Sequence, residues 1–177
     1  MSGSSSDLVD TINLEPDCSN CAALCCAVFA FDKSESFGID KAANEVCPNL
    51  NADNGCSIFS NRAERGFQGC VTYTCYGAGQ RISQEVFGGL SWRENPALMH
   101  RMGAALSVLR RIHEQMVLLR AARSLPLISD QLAELETLEL KLASERAWTE
   151  TSLAGFPIET VSSEVRTWLR QLRGLIS

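Results

Sequence analysis

The spacing of apolar residues changes near residue 91. From there Leu98, Met102, Ala105, Leu106, Leu109, Ile112, Met116 and Leu119 recur every three or four positions. That spacing lays one face of a long α-helix against a core. Asn95 and Pro96 make an N-cap and first-turn pair, and Ser124-Leu125-Pro126 ends the helix. Asp130 is placed to cap a second helix with Leu132, Leu135, Leu138 and Leu142 on one side. Gly155-Phe156-Pro157 breaks the chain again. A third helix is expected from Ser162 or Ser163, with Glu164 in its first turn, burying Val165, Trp168, Leu169, Leu172 and Ile176. Short connections make such helices antiparallel neighbours.

Residues 16–90 have no comparable rhythm. Short apolar pieces, Ala22 to Phe31 and Val71 to Tyr73, lie between turn formers: Asn49, Asn51, Asp53, Asn54 and Gly55, then Gly66, Gly69, Gly77, Gly79, Gly88 and Gly89. A stretch like this buries little apolar surface by itself and needs a staple. Residues 1–15 begin with the linker-like Ser-Gly-Ser-Ser-Ser and read as a flexible tail. Within that tail Leu8, Val9, Ile12 and Leu14 can add a short docked segment. The fold expected is mainly α: a small irregular metal-stapled cysteine module (16–90), then an antiparallel helical hairpin or three-helix bundle (91–177).

Composition narrows the class. Of 177 residues, 45% are hydrophobic and 21% charged, which excludes wholesale disorder. No apolar run approaches the ~18 residues of a membrane span, so no membrane role is expected. The first ten residues show no secretory signal, which points to a reducing cytoplasm. The net charge of −5 divides unevenly: −6 over residues 1–90 and +1 over 91–177. An acidic cysteine half argues against nucleic-acid binding, which needs a basic footprint. Arg101, Arg110, Arg111, Arg120 and Arg123 fall on the first helix; Glu134, Glu136, Glu139 and Glu145 fall on or just after the second, with Lys141 and Arg146 against them. Opposite charge favours pairing these helices, although exposed ion pairs contribute only ~0–1 kcal/mol each. The partner expected for the helical half is another protein or a second copy of the chain.

The chemistry lies in the cysteines. All eight, Cys18, Cys21, Cys25, Cys26, Cys47, Cys56, Cys70 and Cys75, occur within one window of 58 residues. In a reducing compartment such clustering points to metal ligation rather than disulfides. Thiolates are soft ligands that select zinc, Cu(I) or iron–sulfur centres. The two-residue gap between Cys18 and Cys21 lets both sulfurs reach one ion across a tight turn, and four thiolates complete a zinc site or hold one [4Fe–4S] cluster. Cys25 and Cys26 are adjacent, and neighbouring side chains tend to diverge, so one of them can serve a different centre, bridge, or stay free. Zn2+ and a [4Fe–4S] cluster both remain open. His100 and His113 are expected to be structural or on the surface, and Trp92, Trp148 and Trp168 to be core. Lys41 is a candidate ion-pair partner for Asp40. Gly77 and Gly79 are expected at tight turns or at close approach to the cluster. No Ser-His-Asp set, HExxH or P-loop occurs, so an enzyme is the less favoured reading.

The cysteine order CxxCxxxCC, with Cys47-Pro-Asn-Leu50, Cys56-Ser-Ile-Phe59, Arg62 and Cys70 following, resembles the YkgJ-type cysteine-cluster family of zinc- or iron-chelating domains. A closer resemblance is to the N-terminal region of bacterial pentapeptide-repeat proteins. It rests on Phe37-Gly-Ile-Asp40-Lys41-Ala-Ala, Arg65-Gly-Phe-Gln-Gly-Cys70, Cys75-Tyr-Gly-Ala-Gly-Gln80 and Phe87-Gly-Gly-Leu-Ser-Trp92-Arg93. The repeats themselves are absent. The resemblance implies metal chelation by the matching cysteines and no settled activity. The expectation is a metal-binding, non-enzymatic adaptor that docks through its helical half; the alternative is a [4Fe–4S] redox, sensing or accessory-enzyme protein.

Overall fold

The computed structural model describes residues 11–143 and 147–175. It is mainly helical. Seven α-helices run in order: α1 (Leu24–Val28), α2 (Gln68–Thr72), α3 (Ala78–Arg81), α4 (Leu98–Arg123), α5 (Ser129–Leu142), α6 (Glu150–Ala154) and α7 (Ile158–Gln171). A single π-turn over Ile82–Val86 continues α3. Extended pairing among the described residues is limited to two isolated bridges, Phe31 with Lys41 and Leu50 with Cys56.

Helix α4 is the axis of the molecule. Its periodic residues Met102, Leu106, Leu109, Ile112, Met116 and Leu119 are all but completely buried, as the spacing predicts. On one side α4 packs against α5, α6 and α7; on the other it packs against α1, α3 and the π-turn. One buried cluster therefore joins Leu24, Ala27, Val28, Ala78, Ile82 and Trp92 of the cysteine half to the leucines of the helical half. Gly103 eases this: a Cβ there would lie 3.1 Å from the Val28 Cβ, so a side chain would push α1 back by a few tenths of an ångström.

Helix boundaries differ from expectation at three places. Asn95 caps a preceding turn, accepting from the Ala97 N–H, and α4 starts three residues later at Leu98. Helix α5 starts at Ser129; its entry is tied by the Gln131 side-chain oxygen accepting from the Ile128 N–H, and Asp130 lies in its first turn. The third long helix starts at Ile158, immediately after Pro157, with Glu159 in its first turn. Proline ends what precedes it and permits a helix to begin at once, so the break and the start coincide. The short α6 has its own cap, Thr149 accepting from the Ser152 N–H. Ile176, Glu145 and Arg146, and also Leu8 and Val9, lie outside the described residues. Ile12 and Leu14 do dock: Leu14 is buried, and the Ile12 carbonyl accepts from Arg120 at 2.8 Å.

Cross-helix ion pairs form with a different distribution. Arg123 pairs with the buried Glu139 between α4 and α5. Arg101 pairs instead with Glu150 of α6, Arg111 with Glu159 of α7, and Lys141 of α5 with Glu164 of α7. Arg110 and Arg120 turn to the other half, donating to the Thr74 and Ile12 carbonyls.

Candidate metal centre

The eight cysteines are free, and of them Cys18 alone is exposed. They surround α1, and each is placed by a local device. Asp17 caps a 3-10 turn over Cys18–Asn20, accepting from Ser19 N–H at 3.0 Å and from the Asn20 amide at 2.7 Å. The Cys21 N–H returns to the Cys18 carbonyl at 3.3 Å, closing the CxxC turn. Three side chains of α3 and the π-turn hold that segment down. Gln80 bonds the Asp17 N–H and the Glu15 carbonyl, Gln84 bonds the Asn20 carbonyl, and the buried Ser83 Oγ accepts from the Ala22 N–H at 2.9 Å. Trp92 adds an indole donor to the Ala22 carbonyl at 2.6 Å.

Helix α1 begins from Ala23 in the left-handed region (φ 53°) and buries Leu24, Ala27 and Val28, which leaves Cys25 and Cys26 facing away from α4. Their sulfurs are 3.9 Å apart. Either thiol can donate in this contact; the contact raises the Cys25 pKa and lowers that of Cys26, where Lys41 and Arg62 add positive charge. The Cys47 N–H donates to the Cys26 carbonyl at 2.9 Å, and the Leu50–Cys56 bridge closes the Cys47-to-Cys56 loop. Arg93 pins that loop through the Asn54 side chain and the Asn51 carbonyl, both at 2.7 Å. Arg62 stacks on Phe59, 3.9 Å to the ring centre, and donates to the Cys70 carbonyl at 3.0 Å.

Cys75 precedes a strained turn. Tyr76 (φ 50°) and Gly77 (φ 74°) are both left-handed, a conformation that costs a non-glycine residue about 1–2 kcal/mol. His113 of α4, fully buried, holds that turn. Its Nε2 lies 3.0 Å from Arg81, which can only donate, so Nδ1 carries the proton and donates to the Tyr76 carbonyl at 2.6 Å. Burial lowers the His113 pKa to about 4, and the Arg81 charge adds to this against the pull of the Tyr76 carbonyl. A Cβ at Gly79 would lie 2.8 Å from the Cys21 sulfur and 3.7 Å from that of Cys75, so both thiols converge on the same glycine.

The thiols sense one another. Burial raises the Cys47 pKa, and neighbouring charge on Cys26 and Cys56 adds to it; burial pushes Cys70 up to about 11, with Cys26, Cys47 and Cys56 contributing. Cys18 is raised by desolvation and then by Cys75 and Cys26; Cys21 is raised by burial, with Cys75 adding. The buried Tyr73 hydroxyl has no hydrogen-bond partner among the described residues. Burial, then charge on Cys25, Cys75 and Cys21, pushes its pKa far up.

As they stand, no three His, Cys, Asp or Glu side chains among the described residues form a group that could hold a metal ion. The donor set itself fits a thiophilic metal. The buried Tyr73 hydroxyl, unpartnered among the described residues and close to Cys25, Cys75 and Cys21, is a donor suited to a thiolate neighbour.

Sequence reasoning missed several residues that shape the site. Lys41 is buried and donates to the Phe29 and Ala42 carbonyls, under the Phe31 ring; the Asp40 carboxylate accepts instead from the Lys33 N–H. Arg62 and Ser83 were visible only as members of motifs, whereas Trp92 is buried and His113 structural, as expected. His100 is exposed, and neither histidine joins the thiols.

Fold and site together define a mainly helical protein with eight reduced cysteines gathered around one short helix. The chain is similar to the uncharacterized protein YybG of Bacillus subtilis (strain 168), with 31% identity over 164 residues. That match covers 93% of this chain, which spans 59% of the length of the relative. No family model and no solved structure matches. No helix among the described residues is long and apolar enough to cross a membrane.

Proposed function

We propose that this chain is a metal-binding cysteine-cluster protein that holds zinc or an iron–sulfur centre and acts as a non-enzymatic adaptor through its helical half. The observation that carries the metal reading is the gathering of eight free thiols, from segments up to 57 positions apart, around α1. Thiols so placed repel one another as thiolates, and a cation removes that cost. Zinc closes such a site structurally; a [4Fe–4S] cluster in the same thiolates supplies one-electron chemistry. The resemblance to YkgJ-type domains points the same way. The adaptor part rests on α5 and its N-cap, where Leu132, Leu140 and Ile128 are exposed large apolar side chains, Ile128 at 64%.

Anaerobic purification with metal and acid-labile sulfide analysis tests the reading. Zinc without colour or sulfide supports the structural form, and a brown protein with sulfide supports the cluster. Eight titratable thiols with neither metal bound, on a protein that stays folded, would overturn it.

A further inference from the structure

A structural zinc asks for four donors, and no three metal-ligating side chains among the described residues are grouped. One pair of sulfurs, however, is already in contact. Cys25 and Cys26 lie 3.9 Å apart, and both are part-buried. The frame beneath them is fixed. Leu24, Ala27 and Val28 are buried in the shared core, the Cys26 and Ala27 N–H groups return to the Ala23 carbonyl, and the Cys47 N–H donates to the Cys26 carbonyl. The two thiols are therefore held together before anything binds, which leaves little ordering to oppose binding. Positive charge from Lys41 and Arg62 falls on Cys26. The Tyr73 hydroxyl is buried and has no partner among the described residues, and Cys25 is the neighbouring charge it feels most.

We propose that Cys25 and Cys26 form a two-thiol chelation site for a neutral trivalent oxyacid, of which arsenous acid is the type. Trivalent arsenic is soft and pyramidal; two thiolates and one retained hydroxyl complete it, so no third sulfur is needed. Two As–S bonds form and two As–OH bonds break. Each thiol proton leaves with a hydroxyl as water, and neither arsenic nor sulfur changes oxidation state. Sulfurs joined by one arsenic lie slightly closer than the present contact, and side-chain rotation supplies the difference. The Tyr73 hydroxyl is a donor for the hydroxyl that arsenic keeps. An uncharged ligand also enters a part-buried site without the desolvation cost of an ion. The site goes beyond the metal-binding reading above and requires neither zinc nor a cluster.

The test uses the full chain, reduced and metal-free, with arsenite and phenylarsine oxide as probes. At one equivalent of either, native mass spectrometry is expected to show one arsenic per chain. Alkylation mapped by peptide fragmentation should show Cys25 and Cys26 protected together, a measurement that needs no variant. Cys25→Ser and Cys26→Ser should each weaken binding about a hundredfold or more, because the chelate is lost; Cys56→Ser should leave it unchanged. Far-UV ellipticity checks that each variant folds. Tyr73→Phe should weaken arsenite several-fold and leave phenylarsine oxide unaffected, since that probe carries carbon where arsenite keeps its hydroxyl. An equal response of both probes to Tyr73→Phe overturns the part given to the tyrosine. Protection of a different pair, wild-type affinity in Cys25→Ser, or no arsenic adduct at all overturns the site. Zinc and sulfide content of the protein as isolated decides the metal-binding reading separately, so either can fail alone.

Discussion

The two halves share a core but are specified differently. The helical half is held by a repeated leucine face on α4 that buries Leu106, Leu109 and Leu119 almost completely. The cysteine half has a few buried side chains, then a long excursion from Phe29 to Tyr73 held by single hydrogen bonds, two isolated bridges and left-handed turns. One half can fold on apolar area alone; the other places eight thiols on a frame with little area to spare. The difference teaches where a bound metal would contribute most: in the excursion between α1 and α3, which lies outside most of the shared core.

The largest effect should come from metal removal. A structural zinc contributes on the order of 10–16 kcal/mol at neutral pH, comparable with a whole domain. Chelation under reducing conditions should accelerate amide exchange from Phe31 to Cys70 while α4, α5 and α7 stay protected and far-UV ellipticity changes little. Equal loss of protection in both regions would mean that the halves do not differ in this way.

Leu109→Ala probes the other side of the comparison. The leucine is fully buried in the shared cluster, so the cost should be about 2–5 kcal/mol. Because α1 and α3 pack on the same helix, the urea midpoint read from Trp92 should fall together with the helical signal. Separate transitions would show two independent domains.

The helices were legible because a leucine every three or four residues has one reading. What was not legible depended on contacts between distant residues. The α7 start was misplaced by four residues because Ser162, a good cap by type, lies inside the helix and is buried. Asp40 and Lys41 are adjacent and of opposite charge, yet the lysine turns inward to the Phe29 carbonyl, which only the fold brings near, and to that of its neighbour Ala42. The cysteines were legible as a cluster from count and spacing. Their grouping was not, since it depends on how the Cys47–Cys56 loop returns to α1. Gly79 was marked for close approach, and the structure puts Cys21 and Cys75 on it.

His113 joins the halves and gives a pH dependence. Its folded pKa of about 4 lies below the ordinary 6.5. Between those values the unfolded chain binds a proton that the folded protein does not, so stability is full above pH 6.5 and falls as pH drops toward 4. The loss should reach about 3 kcal/mol, followed by urea denaturation across that range. His113→Gln should flatten the slope, and an unchanged slope would assign the loss to other groups.

The smallest effect on stability should come from Gly79→Ala, and it separates packing from ligation. Gly79 sits in α3 with ordinary helical backbone, where alanine is favoured over glycine by roughly 0.5–1 kcal/mol. Against that, the new Cβ would lie 2.8 Å from the Cys21 sulfur. In the metal-free protein that sulfur is the end of a short side chain and can change rotamer, so the two terms should nearly cancel and the urea midpoint should move by less than about 1 kcal/mol. On the metal-binding reading, Cys21 and Cys75 hold a common ion and the Cys21 sulfur is less free to leave the new Cβ. Competition against a chromophoric chelator should then show the affinity for metal falling about tenfold or more, equivalent to about 1.4 kcal/mol. If the affinity does not change, Gly79 is only a packing residue and the thiols beside it do not meet on a metal.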